Sequence, residues 1–123
     1  MAYWDTPRFS IEPEPESPVV VSVRYEVEPA RQAAFLTAMH AMRRSRLRSG
    51  AVSWEIYQVG ENPRMFVEQF EVPSWKEHKR QHDGRLTVED QAIEEATFTH
   101  IVGRPQTSHL LPANATSHNP REP

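Results

Sequence analysis

Phe66-Val-Glu-Gln-Phe-Glu-Val-Pro-Ser-Trp-Lys-Glu-His-Lys-Arg-Gln-His82 is the stretch whose reading decides the fold. Side chains alternate across a strand, so Phe66, Glu68, Phe70 and Val72 share one face, and an acid stands in an otherwise apolar row. Pro73 ends the strand. Ser74-Trp-Lys-Glu77 has the form of a capping box, with the serine accepting from a backbone N–H of the first helical turn. Trp75, His78 and His82 then fall at i, i+3 and i+7 along one helical stripe. A carboxylate, an indole and two imidazoles are thereby directed toward one strand-to-helix corner.

Working outward, Val19 to Val27 alternates with Val19, Val21, Val23, Tyr25 and Val27 on one side, as expected of a central strand. Glu28-Pro29 opens a helix whose buried stripe is Phe35, Ala38, Met39 and Met42, with His40 on its wet side and Gly50 as its stop. Ala51 to Gln58 reads as a strand, with Val52, Trp54 and Ile56 on one face. The Gly60-Glu-Asn-Pro63 turn makes it a hairpin with the Phe66 strand. Symmetric pairing about that turn sets Ile56 opposite Phe66, Trp54 opposite Glu68 and Val52 opposite Phe70. Asp83-Gly84 breaks the chain. Thr87-Val-Glu-Asp90 caps a second helical piece to about Phe98, with Val88, Ala92 and Ala96 inward and Glu89, Asp90, Glu94 and Glu95 in water. Beyond Gly103-Arg-Pro105, Gln106 to Leu111 reads as a short last strand, with Thr107, His109 and Leu111 on one face.

The order strand, helix, strand, strand, broken helix, strand predicts an α+β fold. It is the ferredoxin-like split βαβ sandwich, a four-stranded antiparallel sheet with helices on one face. Its other face, carrying either Tyr25 and its valine neighbours or Val20 with Ala51 and Tyr57, calls for a homodimer to cover it. The Pro- and Glu-rich residues 1–17 read as a linker or arm, with Trp4 and Phe9 able to pack back. Residues 18–112 read as the domain and 113–123 as a disordered tail.

Composition removes several function classes. A net charge of −3 gives no general attraction to nucleic acid, and the run Arg43-Arg44-Ser-Arg46-Leu-Arg48 sits where cations complement a helix C-terminus, so it reads as solvated. With no cysteine there is no disulfide, thiolate nucleophile or cysteine metal site, which suits a reducing cytoplasm. No apolar run reaches the roughly 20 residues of a membrane span, so no direct membrane insertion is expected.

Taken together, Glu12-Pro-Glu-Pro15, Val19–Val23, Pro29-Ala30, Trp54, Val67-Glu68-Gln-Phe70, Ser74–His78 and Thr87–Asp90 resemble a known family in content and order. The chain is similar to the dimeric α+β barrel superfamily that includes the antibiotic-biosynthesis monooxygenases. Within it, the resemblance is to the soluble C-terminal domain of major facilitator transporters of the enterobactin-exporter, or transmembrane secretion effector, type. It spans roughly residues 12 to 112. The resemblance implies a homodimer, a transporter domain as partner in relatives, and a pocket between sheet and helices for a small aromatic ligand.

The ligand-binding candidates are Trp54, Glu68, Phe70, Trp75, His78 and His82, set against the ordinary reading that large aromatics fill a core. Glu68, His78 and His82 are the candidates for proton transfer. Buried Glu68 needs a partner, for which Trp75, Arg85 or His78 are the sequence's suggestions. Although His78 and His82 stand at chelating spacing, no motif supplies a further ligand, and neither metal nor other cofactor is expected. Arg24, on the opposite face of the first strand, is placed to reach across a dimer. His100 and His109 receive no role. Two functions follow: a dimerising or small-ligand-sensing domain without chemistry, and alternatively a cofactor-independent monooxygenase of an aromatic or polyketide-like molecule.

Overall fold

The computed structural model of the chain describes residues 9–84 and 87–113, the side chains of 81–84 excepted. Strand β1 (Val19–Glu26) is followed by a 3-10 turn (Pro29–Arg31) and helix α1 (Gln32–Arg48). Next come β2 (Ser53–Gln58), β3 (Met65–Val72), α2 (Trp75–Gly84), α3 (Val88–Phe98) and β4 (Val102–Leu110). The strands pair antiparallel in the order β2-β3-β1-β4. This is the ferredoxin-like α+β arrangement that the element order predicts. The tail beyond residue 113 lies outside the described residues.

Alternation in β1 and β3 does what the sequence suggests. Val19, Val21, Val23, Tyr25, Phe66, Phe70 and Val72 are buried on the helix-covered face, together with Phe35, Met39 and Met42 of α1. Tyr25 therefore belongs to the core. Of the two alternatives for the open face, the one with Val20 and Tyr57 holds, but Ala51 is buried. That open face carries Val20, Ser22 and Arg24 of β1, Met65, Val67 and Gln69 of β3, Tyr57 of β2 and Leu110 of β4. Tyr57 and Leu110 are about half exposed there, at 50% and 45%.

The β2–β3 register differs from symmetric pairing by two residues: Trp54 faces Phe70, Ile56 faces Glu68 and Gln58 faces Phe66. Two successive turns, Asn62 N–H to Val59 O and Met65 N–H to Asn62 O, move the centre of the hairpin one residue along the chain. A slip of two preserves the face, so Trp54 still points at the core side. Val52 falls outside the strand and is exposed. β4 is longer than expected and runs through Pro105. The proline is tolerated because β4 is an edge strand whose pairing with β1 shifts between Arg24 and Glu26, with Gly103 at φ 69° supplying the left-handed residue there.

α3 presents the opposite face from the one hydropathy predicts. Val88 is 82% exposed and Ala92 and Ala96 are exposed, while Asp90, Glu94 and Thr97 are buried. The reason lies on α1, which packs against α3 and turns polar at its C-terminal end. Ser45 Oγ donates to Asp90 Oδ1 at 2.7 Å, Arg48 pairs with the same carboxylate, and Arg46 Nη1 lies 3.6 Å from Glu94 Oε2. The Thr87–Asp90 capping box is formed, so Asp90 both caps α3 and anchors it to α1. Burial pushes its carboxyl up, but hydrogen bonds from Ser45, Thr87 and Arg48 outweigh this and hold it below its usual value.

Candidate functional site

The Ser74 cap forms as the sequence indicates, its Oγ accepting from Glu77 N–H at 3.1 Å, while the Glu77 carboxylate pairs with Arg80. This cap delivers Trp75 and His78 inward, 4% and 3% exposed. The His82 side chain, Arg85 and Trp4 lie outside the described residues.

Glu68 is fully buried. Its Oε1 accepts from Tyr25 Oη at 2.7 Å and Arg46 Nη2 at 3.2 Å; its Oε2 accepts from Trp54 Nε1 at 2.8 Å and Arg46 Nε at 2.9 Å. Four donors fill about the four acceptor directions a carboxylate has. Among the described residues these are the partners of the acid, in place of the Trp75 and His78 that the sequence suggests. His78 is one strand-to-helix layer away, its ring 6.5 Å from that of Phe70. Arg46, read from sequence as part of a solvated basic run, is instead largely withdrawn from water, its side chain 14% exposed, because it reaches down from the end of α1 to neutralise Glu68. Its guanidinium also lies 4.6 Å over the Phe70 ring, so the corner between Trp54 and Phe70 is filled by protein.

The electrostatics follow from this arrangement. Burial lowers the Arg46 pKa, but the Glu68 charge and its hydrogen bonds outweigh burial and the net shift is upward, so the guanidinium stays charged. Burial and the neighbouring carboxylate both raise Tyr25, fixing it as a neutral donor. Glu68 is thus a fully partnered carboxylate.

A second cluster lies beside the first. Trp75 sits 5.8 Å from His78 and 5.5 Å from His109, and the two imidazoles are 5.9 Å apart. Phe9 closes it edge-on, 5.1 Å from Trp75 and 5.4 Å from His109. Sequence reasoning missed His109, because its place here depends on the pairing of β4 with β1, which brings it opposite Val21 on the core face. Of the six ligand-binding candidates, the structure gathers Trp54, Glu68 and Phe70 around Arg46, and Trp75 and His78 around His109.

Burial pushes the His109 imidazole below its usual value near 6.5. The folded chain keeps it neutral, while the unfolded chain takes up a proton at about pH 6.5. Its contribution to stability is therefore present above that pH and lost as pH falls toward the lower folded value. Urea midpoints should drop between about pH 7.5 and 5.5, and drop less in His109→Gln; equal slopes for the two proteins would show that the imidazole is not held neutral.

A family model described as transmembrane secretion effector matches residues 1–117. The chain belongs to the transmembrane secretion effector family. Among the described residues, no helix is long and apolar enough to cross a membrane. Its fold is shared with solved structures of low sequence identity. A putative antibiotic biosynthesis monooxygenase from Nitrosomonas europaea superposes with a TM-score of 0.66 at 16% identity, covering 82% of this chain and 95% of that one. A second, from Caulobacter crescentus CB15, gives 0.66 at 17% identity over 78% and 90% of the two chains. A point mutant of SnoaB, a cofactor-independent oxygenase from Streptomyces nogalater, gives 0.64 at 13% identity over 76% and 91%. Comparison with curated proteins gives no match. At these identities the likeness of the chain to these structures is one of fold.

Proposed function

We propose that this domain acts as a cytoplasmic homodimerising, small-ligand-sensing module without chemistry of its own, accompanying the membrane part of an exporter. The observation that carries this reading is the state of Glu68. An acid whose four acceptor directions are taken by Tyr25, Arg46 and Trp54 has no free position to accept a proton from a substrate. It serves to lock β1, β2 and β3 to α1. Dimerisation is supported by the open sheet face, where Val20, Val67, Met65, Tyr57 and Leu110 are interleaved with Arg24, a mixture suited to pairing with its own copy about a two-fold axis. Ligand sensing is supported by the aromatic and imidazole side chains gathered under α2.

The alternative is a cofactor-independent monooxygenase of an aromatic or polyketide-like molecule. One observation favours it: His78 and His109 stand among aromatic rings, where an imidazole can serve as base. Two measurements test the proposal. Sedimentation at micromolar concentration should give about twice the 14.2 kDa chain mass. Oxygen uptake with a panel of polycyclic phenols should stay at background in wild type and His78→Ala alike. A 14.2 kDa species would remove the dimer, and uptake lost in His78→Ala would establish the oxygenase instead.

A further inference from the structure

Among the described residues, the N-terminal arm meets the domain at two places, the start of α2 and the Phe9 ring. Pro15 O and Ser17 O accept from the Lys76 and Trp75 backbone N–H groups at 2.9 and 2.8 Å, meeting two of the donors that the start of α2 leaves unsatisfied, and Pro13 is buried beside them. Among the described residues, Phe9 is held by its ring, packed edge-on against Trp75 and His109 at interplanar angles of 90° and 69°. Between these two anchors Ser10, Ile11 and Glu12 are exposed. The ring can therefore be withdrawn while the Pro15 and Ser17 bonds stay in place.

The ring's neighbour carries an unmet need. Trp75 is 4% exposed, and its indole N–H has no hydrogen-bond partner among the described residues. A buried donor left unpaired costs free energy, and an indole N–H is ordinarily paired when buried. Phe9 fills the space with hydrocarbon and brings no acceptor. A molecule offering the same ring together with a carbonyl or quinone oxygen would keep the edge-on aromatic contacts and also satisfy the indole.

We propose that Phe9 is a built-in, displaceable occupant of an aromatic binding site formed by Trp75, His78 and His109. The ligand class is a single-ring-sized aryl carbonyl compound whose oxygen accepts from Trp75 Nε1. Binding expels the Phe9 ring and releases residues 9–12 while the Pro15 and Ser17 bonds hold, so that occupancy of the site is reported at the N-terminal end of the domain. The proposal rests on the ligand-sensing part of the function above and names its site and regulation.

The test uses 1-indanone, with indane as the same skeleton lacking the oxygen, and the ¹⁵N-labelled protein, whose three tryptophans give three indole N–H resonances. In wild type, saturating 1-indanone should abolish the nuclear Overhauser contact between the Phe9 and Trp75 rings and move the Trp75 indole resonance downfield. Indane should leave that resonance in place. Phe9→Ala, which removes the competitor, should bind 1-indanone at least about tenfold more tightly than wild type. Should Phe9→Ala fail to fold, the wild-type contact decides alone. Binding of 1-indanone with the Phe9–Trp75 contact intact, or equal movement of the indole by indane, would overturn the site while leaving ligand sensing elsewhere on the domain standing. No binding to either protein would overturn both the site and the sensing function. The sedimentation mass reads dimerisation independently of either outcome.

Discussion

Glu68→Gln should cost about 3–5 kcal/mol of folding stability, the penalty of removing one partner of a buried ion pair. The change is nearly isosteric, so packing is not the cause. Glutamine has one acceptor oxygen where the carboxylate has two, and its amide N–H₂ is forced toward donors: Tyr25 Oη, the Arg46 guanidinium or Trp54 Nε1. Arg46 is left charged, with Glu94 at 3.6 Å as its remaining acidic partner among the described residues. Urea denaturation should show a lower midpoint with an unchanged slope. The paired substitution of Glu68→Leu with Arg46→Met should recover only part of the loss, because it removes both charges but leaves Tyr25 Oη and Trp54 Nε1 without their acceptor. A loss below about 1 kcal/mol in Glu68→Gln, the range of an exposed pair, would mean that this network does not lock the sheet to α1.

Why this network escaped sequence reading can be traced to particular residues. The inner faces of β1 and β3 were legible because alternation needs only neighbouring positions, and Glu68 was marked as buried by that alternation alone. Its partners were not, since Tyr25 is 43 positions away and Arg46 is 22. One signal did point to Arg46: continuing the α1 stripe Phe35, Met39, Met42 by three or four residues leads to Ser45 and Arg46, not to the water side. The same logic applies to α3. Asp90, Glu94 and Thr97 stand at i, i+4 and i+7, a stripe as regular as an apolar one, and Asp90 and Glu94 meet the polar end of α1. Hydropathy puts apolar residues inside and so turned α3 around. Two polar stripes facing one another satisfy burial equally well, but only the pairing of α1 with α3 in space shows it. The hairpin register failed for a more local reason, the double turn that places Asn62 at the centre.

Val67→Lys should convert the proposed dimer to monomer. Val67 lies on the open face of the central strand β3, paired with Arg24 on one side and Tyr57 on the other. In a sheet-to-sheet dimer related by a two-fold axis, a residue near the middle of this face meets the equivalent region of the second copy. A lysine there brings a charge into the covered layer, sets it beside Arg24 and repeats it from the other chain, so like charges accumulate where solvent is excluded. The expected loss is about 2 kcal/mol or more, a dissociation constant raised by at least roughly 30-fold. Folding itself should be spared, since the helix-covered core on the opposite face is untouched. The measurement is sedimentation mass as a function of concentration, with the circular dichroism melt as control. Wild type and Val67→Lys sharing one mass would show that this face is not the interface, and Val67→Ala, which leaves no charge, should fall between the two in dissociation constant if it is.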